Sequence, residues 1–263
     1  MKAIILAAGE GKRLRPLTDD IPKCMVPLAG RTVLDWQIET MRRCGIDDIV
    51  VVKGYKAEKI TRTDVRYYVN ERHAVTNMVI SLWCASEELC GDIIVSYGDI
   101  LYNDDILRRV MASGDDISVV VDTDWEEYWK MRFDDPLKDA EALNISEDGR
   151  IHVIGQKAHM LSDVHAGYVG LIRFNANGIC SFKKSFMNAK NVSAAGGKPW
   201  GMPRQFDNAF ITDMLQGLIH EGQCVMALKI AGGWIEIDSL DDIRVAERCF
   251  NDGTISRTRS EAR

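Results

Sequence analysis

The apolar run Ile4-Ile5-Leu6-Ala7-Ala8 stops abruptly at a loop holding Gly9 and Gly11, and Lys12, Arg13 and Arg15 follow at once. Lys23 stands ten residues beyond Arg13. The run reads as a buried strand, and a buried strand that opens into a glycine-bearing, cation-rich loop is a way to hold a polyphosphate. Small residues let backbone N–H groups approach an anion, and side-chain cations neutralise what the amides cannot. A lone Gly-x-Gly is a weak signal, because glycines punctuate turns everywhere. The stretch is not a Walker loop, since no Gly-Lys-Ser/Thr follows a four-residue spacer, and Lys-Arg-Leu-Arg-Pro stands where a Rossmann fingerprint needs its third glycine.

Behind this opening, strand-like and helix-like stretches alternate. Val33, Leu34, Ile38 and Met41 mark an amphipathic helix that stops near Gly45, and Asp47–Val52 (DDIVVV) reads as a buried strand. A short strand at Val65–Val69, a helix over Asn77–Leu89, and strands at Ile93–Tyr97 and Ile117–Val121 follow, with a helix starting near Asn103 between the last two. The expected class is α/β, a doubly wound, mostly parallel (Rossmann-like) mixed sheet with an elaborated lid. In the second half the pattern predicts a hairpin over Glu141–Gly155 turning at Glu147–Arg150, a strand at Gly167–Phe174, and a helix over Phe206–Ile219. Strands at Cys224–Ile230 and Trp234–Ile237 and a helix over Leu240–Phe250 follow. Lys190–Pro203 reads as a mobile loop by composition, and about the last dozen residues as frayed. The chain is expected to be a single domain over 1–263: a nucleotide-binding core (1–122), an acceptor-binding lid (123–232), and a closing segment with a second metal aspartate (233–250).

Composition narrows the class further. A net charge of −6 argues against a nucleic-acid coat or an anionic-membrane binder, so a triphosphate ligand needs cations concentrated locally, as the opening loop provides. The apolar start is too short for a signal peptide, and no stretch approaches a membrane span, so a cytoplasmic location is expected. Seven scattered cysteines without a Cys-x-x-Cys pair read as free thiols. His73, His165 and His220 lack partners at informative spacing and read as structural.

Two carboxylates sit where strands end. Asp99 follows IIVSYG, and Asp238 closes WIEID, with Ser239 placed to cap the last helix. Either alone reads first as a turn residue. Together, downstream of the loop, they suit Mg²⁺, which takes one or two carboxylates plus phosphate oxygens and water. The segment Asp122–Glu141 places Trp125, Tyr128 and Trp129 within five residues, flanked by acids. Aromatic faces near carboxylates suit an ammonium group, and the same spacing equally describes an amphipathic helix. Arg132, Lys198 and Arg204 are candidates to clamp an acceptor's phosphoryl group.

Residues 6–18 (LAAGEGKRLRPLT) followed by Pro22-Lys23 resemble the nucleotidyltransferase signature L-A-A-G-x-G-x-R-L-x-P-L-T…P-K. Gly54-Tyr55, the N-x-x-x-S-L-W segment at Asn77–Trp83, Gly98-Asp99 and Glu236-Ile237-Asp238-Ser239 add a likeness to the phosphocholine and phosphonate cytidylyltransferase branch of the sugar-phosphate nucleotidyltransferase superfamily. The resemblance implies nucleotide contacts from Leu6, Ala7, Ala8, Gly9, Glu10, Gly11, Lys12, Asn77, Ser81 and Gly98. It implies Arg13 and Lys23 on the triphosphate and Mg²⁺ on Asp99 and Asp238. It also implies transfer of CMP from CTP to a small phosphate or phosphonate acceptor, such as phosphocholine or 2-aminoethylphosphonate. The rival reading is a sugar-1-phosphate nucleotidyltransferase using another NTP. A non-catalytic nucleotide sensor is a remoter one, because Asp99, Asp238 and Lys23 are all present. A homodimer is compatible with either enzyme.

Overall fold

All five residues from Ala3 to Ala7 are buried, and their side chains go alternately to two separate apolar layers: Ala3, Ile5 and Ala7 to one, Ile4 and Leu6 to the other. A strand covered on both faces has no polar alternation, which is why this run is continuously apolar. The computed structural model describes residues 1–133, 135–138 and 140–253; the C-terminal stretch expected to fray lies, from residue 254 on, outside the described residues.

The first strand, β1 (Lys2–Ala7), leads through two single-turn 3-10 helices and a small hairpin, β2 (Pro27–Leu28) and β3 (Arg31–Thr32), into α1 (Val33–Arg43). Thr32 and Asp35 cap α1 reciprocally, side chain to backbone in both directions. Next come β4 (Asp48–Lys53), β5 (Arg66–Val69), α2 (Met78–Cys84), β6 (Ile93–Tyr97) and the short β7 (Ile100–Tyr102). They are followed by α3 (Asp104–Met111), capped by Asn103, and β8 (Ile117–Asp122). The predicted helix over Asn77–Leu89 breaks after Cys84 and ends in a separate 3-10 turn, Ser86–Glu88.

The second half begins with α4 (Trp125–Arg132) and the hairpin β9 (Glu141–Ile145) and β10 (Ile151–Lys157). Then come β11 (Gly167–Phe174), α5 (Ala176–Ala194), α6 (Ile211–His220), β12 (Met226–Ile230), β13 (Trp234–Glu236) and α7 (Leu240–Asp252). Two expectations need correction. Lys190–Ala194, read as loop, are the last turn of α5, whose buried apolar stripe is Ile179, Phe182, Phe186 and Ala189 among lysines, serines and asparagines. One apolar residue per turn is too sparse a pattern to stand out in sequence. The helix expected from Phe206 begins at Ile211, where the Asp213 carboxylate accepts the Phe210 N–H; Phe206–Asn208 form a 3-10 turn instead.

Seven strands form the central sheet in the order β12-β8-β11-β6-β1-β4-β5. The β1–β4, β1–β6, β4–β5 and β8–β12 pairs are parallel, and β11 runs antiparallel to both β6 and β8. Helices cover both faces, so the α/β, mostly parallel class is observed. Residues 123–232 contribute β11 and β12 to this sheet as well as the material outside it. The carboxyl ends of β1 and β6 lie side by side, where such folds bind ligands. No helix among the described residues is long and apolar enough to cross a membrane.

Candidate functional site

At the end of β6 the chain turns through Gly98, whose N–H donates to the Leu6 carbonyl at 3.0 Å. A Cβ at Gly98 would stand 2.7 Å from that same oxygen, so only glycine fits. The buried Gln37 of α1 holds the turn from the other side by donating to the carbonyls of Tyr97 and Ile100. Asp99 is thereby aimed at the loop after β1. There Gly11 adopts φ +70°, and the Thr18 hydroxyl donates to its carbonyl at 2.8 Å.

Asp238 reaches the same place through a ladder of three residue pairs. β13 runs antiparallel to β7, pairing Trp234 with Tyr102, Ile235 with Leu101 and Glu236 with Ile100. One residue on, the Ile237 N–H donates to the Asp99 carbonyl at 2.8 Å. Residues two apart on extended backbone point to the same side, so Glu236 and Asp238 both face Asp99. Oxygens of all three carboxylates lie within 4.8 Å of one another.

Lys23 enters this cluster and ion-pairs with Asp99 and Asp238, while Arg13 donates to the second oxygen of Asp238. Burial disfavours the Lys23 ammonium, but Asp99, Asp238 and Glu236 outweigh it and raise its pKa above that of an ordinary lysine. Glu236 is shifted upward, first by burial and then by Asp238. Asp238 resists its own burial and stays below the usual carboxylate range because Lys23, and then Arg13 and Arg132, favour its charged form. The three acids fit a hard divalent cation such as Mg²⁺. All donors are carboxylate oxygens, and Asp99 Oδ1 is buried without a hydrogen-bond partner. Asp99 and Asp238, with Glu236 beside them, are the residues that would hold the ion.

Two cavities meet here. The smaller, 130 Å³, is lined by Leu6, Ala7, Ala8 and Gly9 on one side and by Asn77, Ser81, Tyr97 and Gly98 on others, with His73 and Lys23 also on its wall. The larger, 490 Å³, carries Gly11, Lys12, Arg13 and Lys23 at one part of its lining. Elsewhere its wall is aromatic, from Tyr97, Trp125, Trp129, Tyr168, Phe210 and Trp234, with one further acid, Glu141. Lys23 and Asp99 line both cavities and mark their junction.

The structure thus brings Arg13, Lys23, Asp99 and Asp238 together and puts the remaining sequence-predicted nucleotide residues, except Glu10, on the cavity walls. Glu10 instead pairs with Arg15 and Lys12. Of the aromatic trio, Trp125 and Trp129 line the larger cavity, whereas Tyr128 turns away and its hydroxyl accepts the Glu236 N–H at 2.8 Å. The phosphoryl-clamp candidates are placed elsewhere. Arg132 is buried against Glu236 and Asp242, Lys198 is exposed and lines neither cavity, and Arg204 pairs with Asp213 and stacks on Phe210. A long cation is as easily an internal strut as a ligand clamp, and Arg132 finds its acids 104 and 110 residues away in sequence. Glu236, Glu141, Tyr168, Phe210 and Trp234 were not foreseen in a site role, and His73, read as structural, lines the smaller cavity. Only Glu236 carried a signal, its i, i+2 spacing from Asp238.

Comparison with known proteins identifies the family. Residues 3–165 match the model of the MobA-like NTP transferase domain. The CTP:phosphoglutamine cytidylyltransferase of Campylobacter jejuni is 34% identical over 256 residues, which span 93% of this chain and 98% of that protein. The choline-phosphate cytidylyltransferase of Streptococcus pneumoniae is 32% identical over 155 residues, 57% of this chain and 67% of the relative. Among solved structures, the Streptococcus pneumoniae CTP:phosphocholine cytidylyltransferase shares the fold with a TM-score of 0.68 at 24% identity, covering 94% of this chain and 97% of that one. With the signature loop, the paired aspartates and a match nearly end to end, the chain belongs to the MobA-like NTP transferase family and is an enzyme of the nucleotidyltransferase class.

Proposed function

We propose that this protein is a Mg²⁺-dependent cytoplasmic cytidylyltransferase that moves CMP from CTP to a small, nitrogen-bearing phosphate or phosphonate. The observation that carries the reading is the junction itself. Lys23, Arg13 and three carboxylates stand where a small cavity bounded by the β1 and β6 ends meets a larger aromatic one. The smaller cavity, lined largely by small residues at the β1 and β6 ends, suits the cytidine, and the larger suits the acceptor. Both cytidylyltransferase relatives act on nitrogen-containing phosphate compounds, phosphoglutamine and phosphocholine by their names, and the acceptor wall offers aromatic faces and Glu141 to such a group.

In this reading an oxygen of the acceptor phosphate, already ionised near neutral pH, attacks the α-phosphorus of CTP. A P–O bond forms there as the bond from the α-phosphorus to the bridging oxygen of the β-phosphate breaks, and the electron pair leaves with pyrophosphate. No general base is required, which agrees with a site built of cations and carboxylates. Lys23 and Arg13 stabilise the charge that grows on the leaving group, and the two cavities set the in-line approach. A divalent ion on Asp99 and Asp238, when bound, supplies charge neutralisation to the reacting phosphates. A screen of four NTPs against phosphoglutamine, phosphocholine, 2-aminoethylphosphonate and hexose 1-phosphates, read by pyrophosphate release, tests the proposal. Turnover confined to CTP and nitrogen-bearing acceptors is expected; preference for a hexose 1-phosphate with another NTP would overturn it.

A further inference from the structure

Arg132 has a site of its own that neither cavity explains. Its side chain is 2% exposed. Nε and Nη2 form a fork on Asp242, at 2.7 and 3.2 Å, and Nη1 donates to Glu236 Oε2 at 2.7 Å. Nη2 also lies 3.8 Å from Asp238 Oδ2. The rings of Tyr128, Trp129 and Phe133 surround the guanidinium at 5.3 to 5.6 Å. Asp242 is 4% exposed, and its Oδ2 also accepts the backbone N–H groups of Asp238 and Ser239 at 3.0 and 2.8 Å.

These contacts have one outcome. The segment Glu236-Ile237-Asp238 is held by its side chains, through Arg132, and by its backbone, through Asp242 and the Tyr128 hydroxyl. Two of those three groups belong to α4, the helix whose Trp125 and Trp129 form part of the larger cavity's wall. We infer that Arg132 is a positioning residue that, with Asp242, fixes the direction of the Glu236 and Asp238 carboxylates and ties them to the aromatic wall. A planar guanidinium sets two carboxylates in one orientation by its fork, which a lysine ammonium cannot do. The inference rests on the metal-dependent reading above.

The test compares the full-length enzyme with Arg132→Lys, Arg132→Met and Asp242→Asn. It measures Mn²⁺ affinity in the presence of CTP by electron paramagnetic resonance, then kcat and acceptor KM, and the melting temperature. Outer-shell partners of metal ligands are typically worth 10- to 100-fold, so Arg132→Met and Asp242→Asn should each weaken Mn²⁺ affinity and lower kcat by about tenfold or more, with acceptor KM nearly unchanged. Arg132→Lys should recover only part of the loss. If Arg132→Met does not fold, Asp242→Asn, which keeps the same volume, still carries the test. A rise in acceptor KM with Mn²⁺ affinity and kcat intact would overturn the inference in favour of a phosphoryl clamp. A lower melting temperature with both intact would reduce Arg132 to a structural strut. A wild-type enzyme that turns over without any divalent ion would overturn the metal reading and this inference together, whereas unchanged variants of a metal-dependent wild type would overturn this inference alone.

Discussion

The two cavities that meet at Lys23 are built in opposite ways. The smaller draws on a few short chain segments rich in small residues: Leu6 to Gly9 at the end of β1, Asn77 and Ser81 at the start of α2, and Gly98 at the end of β6, with Lys23, His73, Met78 and Tyr97 as its larger side chains. The larger shares the loop after β1, through Gly11 to Arg13, and takes the rest of its wall from α4, the start of β9, the start of β11, Phe210 and Thr212 near the start of α6, and β13. A wall of backbone on parallel strand ends tolerates few changes and suits a ligand that does not vary. A wall of large side chains from separate elements can be re-cut one ring at a time. In the proposed reading the contrast is that of a fixed donor site beside an adaptable acceptor site.

The comparison can be broken at several points. The largest effect is expected at the junction, where Asp99→Ala or Asp238→Ala should lower pyrophosphate release by about 10³-fold or more while circular dichroism stays native. Near-normal turnover by either variant would remove it from the catalytic centre. Lys23→Ala should follow, with kcat/KM down about 10²- to 10³-fold as the developing charge loses its partner; an effect seen only on acceptor KM would move Lys23 out of the donor half. Trp129→Ala should raise acceptor KM about tenfold and leave the KM for CTP within about twofold. The same change should cost about 3 kcal/mol of stability, measured by denaturant unfolding, because the ring is also core. If CTP binding suffers equally, the two halves are not separable. Lys198→Ala should change neither KM by more than about twofold, since the exposed side chain lines neither cavity.

The loop of the proposed donor half was legible in sequence because covalent neighbours become spatial neighbours there: the run from Leu6 to Lys23 is loop, cation and anchor in one piece. Asp99 and Asp238 were ambiguous singly and became legible as a pair beside the opening loop. What brings them together was not legible, because it depends on a ladder of three pairs between β7 and β13, and β7 is too short to announce itself. Arg132 and Tyr128 were read with the right helix and the wrong side. Trp125, Tyr128, Trp129 and Arg132 share one face of α4, and spacing does not say which of them meets the cavity and which the core. The acceptor wall was least legible, since Tyr168, Phe210 and Glu141 come into reach only once β9, β11 and α6 have packed.

The reversed strand β11 carries a consequence for how this enzyme is made. In the finished sheet β8 pairs only with β11 and β12, and β11 is also what joins it to β6. A nascent chain that has emerged as far as Asp122 therefore owns a four-stranded sheet with a bare edge at β6 and an apolar strand, β8, that has nowhere to pair. Unpaired edges of that kind invite association with other chains. The donor half, so readable as a unit, is not one for folding. A fragment ending at Asp122 should aggregate or fail to melt cooperatively in calorimetry, and synthesis must run past Phe174 before the two parts of the sheet can close.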